Sequence, residues 1–115
     1  MKFKMLLVAT ACLYMVNADA GGLKVGHITS VMVAPSIPDK AFVKIDASFS
    51  QPEPVCSVGV SQWDFVLNLT TTTGKSLYAM ILAAQASGAE VTAGGLGTCA
   101  LHGGYEDLDY FHTNP

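Results

Sequence analysis

The stretch from Gln62 to Cys99 limits the fold of this chain more than any other. Trp63, Phe65, Leu67 and Leu69 alternate with Asp64, Val66, Asn68 and Thr70, the period of a strand with one buried face. Thr71, Thr72 and Thr73 follow, with hydroxyls able to accept from the free N–H groups of a helix start. The spacing predicts a helix over Gly74 to Ser87 with Thr73 as its N-cap. Leu77, Ile81 and Ala84 form its apolar stripe, flanked by Tyr78, Leu82 and Gln85. Ala79, Ala83 and Ala86 let it sit close to what it covers, and Gly88 suits the left-handed stop. Val91 opens a second strand, which ends in Gly94-Gly95-Leu96-Gly97 before Cys99.

The first twenty residues read as something to be removed. Lys2 and Lys4 give a positive start, Met5 to Val16 is apolar, and Ala18-Asp19-Ala20 is a small-x-small cleavage signal. That is the pattern of a secretory signal peptide, and the apolar run is too short for a membrane-spanning helix. Ala9-Thr10-Ala11-Cys12 is a weaker lipobox-like alternative. The mature chain is then one domain, 21–115. Without Lys2, Lys4 and Asp19 the formal net charge goes from −3 to −4, and there is no arginine. A phosphate-binding surface needs clustered basic residues, so nucleic acid is disfavoured as a partner.

Cys56 and Cys99 are the cysteines left after the leader, 43 positions apart. In an exported small domain such a pair reads as one disulfide. The rival, a metal site using Cys99 and His102, lacks the tight four-ligand spacing that zinc favours. No metal and no cofactor is expected.

The remaining chain supplies strands. Leu23 to Ala34 alternates as one long strand, with Gly26 marking a bulge or bend. Pro35 to Asp39 reads as a turn, Ala41 to Phe49 as a strand, Ser50 to Pro54 as a loop, and Val55 to Val60 as a short strand carrying Cys56. His102-Gly103-Gly104 is a turn, Tyr105 to His112 a last strand, and Thr113 to Pro115 a free end. The order is strand, strand, strand, helix, strand, strand. That predicts a mainly β chain with one helix: an OB-fold-like five-stranded barrel. An antiparallel sheet covered by one helix is the alternative.

Candidate chemistry is sparse. His27, His102 and His112 are isolated, and no G-x-S-x-G occurs, so catalysis is not expected. Glu106, Asp107 and Asp109 read as the solvated face of a strand rather than a calcium loop. Glycines 94, 95 and 97 have no helix or lysine after them, so they shape a bend and do not cradle phosphate. Asn68-Leu69-Thr70 matches a glycosylation acceptor but lies in a strand. An OB-fold binds on its second and third strands and the neighbouring loops. Trp63 is the ring candidate there, with Tyr105 and Tyr110 behind it, and Asp39, Ser50 and Gln51 are the polar candidates by loop position.

One longer pattern resembles a known family. It comprises Trp63, Phe65, Leu67, Thr70-Thr71, Gly74-Lys75, Leu77-Tyr78, Leu82-Ala83-Ala84, Ser87-Gly88, Val91 and Gly97-Thr98-Cys99, then Glu106-Asp107-Leu108-Asp109-Tyr110. This resembles small exported bacterial proteins related to the B subunit of subtilase cytotoxin. The resemblance covers about half of the mature chain and lies in its scaffold. It implies an OB-fold, a ring of five copies and binding to sialylated cell-surface glycans beside a separate enzymatic chain. The family's glycan contacts lie in the less similar part, so none carries over to a residue here. The function expected is an exported, non-enzymatic binding protein for a cell-surface glycan or protein, secreted or periplasmic, forming a homo-oligomer. An envelope-associated structural or protein-interaction domain is the alternative.

Overall fold

The computed structural model of this chain describes residues 21–60 and 62–115. The leader and the lipobox-like cysteine lie outside the described residues. The strands are β1 (Leu23–Gly26), β2 (Ile28–Ala34), β3 (Ile37–Ile45), β4 (Phe65–Asn68), β5 (Val91–Gly95) and β6 (Glu106–Thr113). Among the described residues one α-helix, α1 (Thr72–Ser87), lies between β4 and β5. The sheet order is β1-β5-β6-β4-β3-β2, with β4 and β6 parallel and every other pair antiparallel.

The expected single strand from Leu23 to Ala34 is split at His27. Its halves lie at opposite edges of the sheet, β1 on β5 and β2 on β3. Since one residue separates them in the chain, the sheet has to curl until the end of one edge strand reaches the start of the other. Gly26 sits at the bend, where a Cβ would lie 2.9 Å from the Asp46 carbonyl. Asp46 closes the corner: its N–H donates to the His27 carbonyl at 2.9 Å and its carboxylate accepts from the His27 N–H at 2.7 Å. The result is a mainly β, barrel-like fold with one helix, having the strand order and helix position of an OB-fold.

The core lies between the curled sheet and α1. Ala41, Val43 and Ile45 of β3, Phe65 and Leu67 of β4, and Ile81 of α1 are at its centre. Ile81 and Ala84 are buried and Leu77 packs against them, as the helical spacing predicts. Burying one side chain like Ile81 contributes about 1.5–3 kcal/mol. The cap differs from expectation. Thr71, not Thr73, is extended and accepts from the Gly74 N–H at 2.9 Å, so the helix starts at Thr72. Gly74 is buried because a Cβ there would collide with the Asn68 carbonyl, which lets the helix start lie directly on the end of β4. Gly88 stops the helix at φ 70°. We expect Thr71→Ala to cost about 1 kcal/mol. Thr73→Ala, at an exposed first-turn position, should cost less than half that; chemical denaturation of the two variants separates them.

Three further expectations change. Val55–Ser57 is a 3-10 turn rather than part of a strand, because Pro52 and Pro54 withhold ladder donors ahead of it. Only Pro35 and Ser36 form the turn, and β3 already begins at Ile37. The end of the chain is tied down: Asn114 donates from its backbone to the Glu90 carbonyl at 2.8 Å and from its amide to Glu90 Oε1 at 3.0 Å.

Candidate functional site

Glu106 and Asp107 correct the reading of β6 as a solvated acidic face. Both are buried, while Asp109 is exposed. Each carboxylate is surrounded by donors. Asp107 accepts from the Thr98 hydroxyl at 2.6 Å and from the Ala100 and Leu101 N–H groups at 2.9 Å. Glu106 accepts from the Gly22 N–H at 3.0 Å and the Gly97 N–H at 2.9 Å. Burial pushes the Glu106 carboxyl above its ordinary range, against the pull of those two N–H groups. Together the two acids fold the β5–β6 loop back over the outside of the sheet. Gly95 follows from this, since a Cβ there would land on the Glu106 carboxylate.

The returning loop covers the outer face of β3, and an aromatic cluster forms where it lands. Phe42 is buried, although it points away from the core cluster. His102 and Tyr105 meet it edge-on, each with ring centroids 5.3 Å away, and Trp63 tilts against it at 6.3 Å. Trp63, His102 and Tyr105 remain partly exposed. Three rings therefore show edges or faces to solvent over one buried ring, on the strand and loop that OB-folds use for binding.

A polar cleft of about 260 Å³ adjoins this cluster. Asp64, the neighbour of Trp63, lines it, and so does Val60, beside the Gly104 turn. Lys24, Lys44, Phe49, Glu53 and Gly59 complete its walls. Its floor is a buried ion pair: Lys24 Nζ donates to Asp64 Oδ1 at 2.8 Å and lies 4.5 Å above the Phe49 ring. Asp64 Oδ2 also accepts from the Ile45 N–H at 2.7 Å. This pair holds β1, β3 and the start of β4 together. Burial raises the Glu53 carboxyl above its ordinary range, and the Asp64 charge adds to that while Lys24 opposes it.

The disulfide joins the two halves of this surface. Cys56 and Cys99 are bonded, with Cα atoms 6.2 Å apart. Cys56 belongs to the loop that carries Glu53 and Val60, and Cys99 to the loop that carries His102 and Tyr105. The arrangement offers fixed polar groups in a small cleft with an aromatic rim, which suits a polyhydroxylated ligand.

A second depression of about 310 Å³ lies at the start of α1, lined by Leu67, Leu77, Leu96, Leu101 and Leu108 among others. It is larger and mostly apolar. Asn68 on its wall is committed to Thr70, accepting from the N–H at 2.8 Å and the hydroxyl at 2.7 Å. No aromatic ring is among the described residues that line it, so it has no platform for the face of a sugar.

The residues named from sequence fall in different places. Trp63 belongs to the aromatic cluster, outside the core cluster that holds Phe65 and Leu67. Ser50 and Gln51 are exposed, and their backbone fastens the loop to β1. The Ser50 N–H and hydroxyl donate to the Leu23 carbonyl at 2.7 and 3.1 Å, and the Leu23 N–H donates to the Gln51 carbonyl at 3.3 Å. Asp39 is exposed within β3 at φ 63°, a left-handed conformation that Asp tolerates, and its carbonyl accepts from the Leu69 N–H at 2.8 Å. Sequence reasoning missed Lys24, Asp64 and Glu53. The available signal was Asp64 itself, a charge set between Trp63 and Phe65.

The histidines stay apart: His27 is 3.9 Å from Asp46, His102 lies on Phe42, and His112 stacks on Tyr110. Among the described residues no cluster of three or more His, Cys, Asp or Glu could hold a metal ion, and no helix is long and apolar enough to cross a membrane. Comparison with protein-family models, with curated proteins and with solved structures finds no match to this chain.

Proposed function

We propose that this protein is an exported, non-catalytic binding module that takes a carbohydrate at the cleft and aromatic rim joined by Cys56–Cys99. The observation that carries this reading is the cluster of Trp63, His102 and Tyr105, partly exposed over buried Phe42. Sugar rings pack their C–H faces on such side chains, and the adjoining cleft supplies half-buried Glu53 as an acceptor above the Lys24–Asp64 pair. The resemblance to subtilase cytotoxin B subunits supports the same ligand class, a sialylated cell-surface glycan, and multivalent presentation in a ring of copies. The disulfide fits an oxidising compartment, secreted or periplasmic.

The test is binding of purified protein to surfaces coated with sialylated and neutral glycans. Trp63→Ala and Tyr105→Ala are each expected to weaken binding at least about tenfold, the effect of losing a well-packed aromatic contact. Glu53→Gln should weaken it with little change in fold, and Thr73→Ala, at the other depression, should not. Unchanged binding by a folded Trp63→Ala variant would contradict the proposed site. Capture of a protein partner in place of any glycan would favour the envelope-associated reading, for which the edge strand β2 is available.

A further inference from the structure

Gly21 and Gly22, immediately before β1, are both buried. The Gly22 carbonyl accepts from the Gly95 N–H at 2.8 Å, and its own N–H donates to both oxygens of Glu106 at 3.0 Å. A Cβ on Gly21 would fall on Glu106 Oε2 and on the Gly95 carbonyl. Covalent geometry then keeps the Gly21 nitrogen within about 5 Å of that carboxylate. Glu106 is fully buried, and its hydrogen bonds come from two neutral N–H groups. The titratable groups around it do not neutralise it. Glu53 and Asp107 are acids that raise its pKa further, Lys24 of β1 is bound to Asp64, and the Tyr110 ring packs at Gly94. Among the described residues no cation pairs with this buried carboxylate.

We propose that Glu106 is a built receptor for a new chain start: leader removal after Ala20 leaves the α-ammonium of Gly21 beside the Glu106 carboxylate, and this ion pair locks β1 onto the barrel. The step is a hydrolysis by a leader peptidase. The C–N bond between Ala20 and Gly21 breaks, the water oxygen joins the Ala20 carbonyl carbon to give a carboxylate, and both water protons end on the Gly21 nitrogen, which becomes the α-ammonium. The inference uses the leader reading of Met1 to Ala20 and is independent of the carbohydrate proposal. It also accounts for glycine at 21, the residue type that lets the nitrogen approach so closely.

The pH dependence has two parts. In an unprocessed chain the raised pKa of Glu106 stabilises the fold below the ordinary carboxyl range, and that contribution is lost as pH rises through the raised value. In the processed chain the ammonium favours the charged carboxylate and removes this loss. The ammonium's own pKa is then raised above its ordinary value of about 7.7–8.0. Its contribution is complete below that value and is lost as pH rises through the raised one.

The experiment expresses the full chain in an exporting host and recovers the oxidised protein. Intact mass is expected to give Gly21 as the first residue, and any other start overturns the proposal. Acetylation of the Gly21 amine, followed by peptide mass spectrometry from pH 7 to 10, is expected to run at least about tenfold slower than in a free peptide of the same first residues. Glu106→Gln should restore the peptide rate and abolish the alkaline loss of stability. An amine in the wild-type protein that reacts at the free-peptide rate, with an ordinary pKa, overturns the proposal even if the variant fails to fold.

Discussion

Asp64→Ala is expected to destabilise the domain by about 3–5 kcal/mol, the usual cost of leaving one partner of a buried ion pair alone. Lys24 and Asp64 are 6% and 7% exposed, so water cannot replace the missing partner. The same change strips the acceptor from the Ile45 N–H. A domain of this size has a net stability of about 5–14 kcal/mol, so the variant should unfold at markedly lower denaturant. Asp64→Asn keeps an acceptor for Ile45 but not the charge. Combined with Lys24→Met it should recover most of the loss, because no buried charge then remains. Urea unfolding of the two single variants and the double variant measures this. If both single variants sit within about 1 kcal/mol of wild type, the pair is not the clamp described here.

Replacing Cys56 and Cys99 together by serine should cost about 4 kcal/mol, since the unfolded chain regains the freedom of a loop closed across 43 positions. The loss should come mainly through the unfolded state. Asp107 still holds Thr98, Ala100 and Leu101, so the β5–β6 loop should stay docked in the folded variant. Hydrogen exchange at Ala100 and Leu101 reports this: protection should fall in line with global stability and not collapse by itself. The other loop, around Val55–Ser57, has fewer anchors. Ser57 holds it through the Pro54 carbonyl, accepting from the Ser57 N–H at 3.0 Å and hydroxyl at 3.2 Å. That loop should loosen on reduction, and binding at the cleft should weaken with it.

What the sequence made legible were the features set by near neighbours. The strand at β4, the stripe of Leu77, Ile81 and Ala84, and the stop at Gly88 each follow from local geometry, but β4 has no solvated face: Val66 and Asp64 are buried like Phe65 and Leu67, because the β5–β6 loop and the Lys24 ion pair cover that side. The disulfide follows from two cysteines in a chain whose first twenty residues read as an export leader. The misread residues are those whose partners are far away in the chain. Asp64 and Lys24 are separated by 40 positions, and Gly22 and Glu106 by 84. An alternating Glu-Asp-Leu-Asp strand looks the same whether its acids face water or a ring of backbone N–H groups. The capping hydroxyl moved from Thr73 to Thr71 because Gly74 must meet the end of β4, which threonine spacing alone does not reveal. Trp63 and Tyr105 were legible as ring candidates, but they meet on Phe42, and His102 joins them, only because buried Asp107 turns the loop back.

Trp63 is the single tryptophan of the chain, so its emission reports on the proposed site without a label. The most direct test titrates the oxidised protein with a sialylated oligosaccharide and follows that emission, with calorimetry on the same samples. The account predicts a saturable change in emission with the same midpoint as the heat. Saturable heat with flat emission would put the ligand elsewhere on the molecule. No binding to any sugar in a panel of sialylated and neutral oligosaccharides would contradict the carbohydrate reading itself.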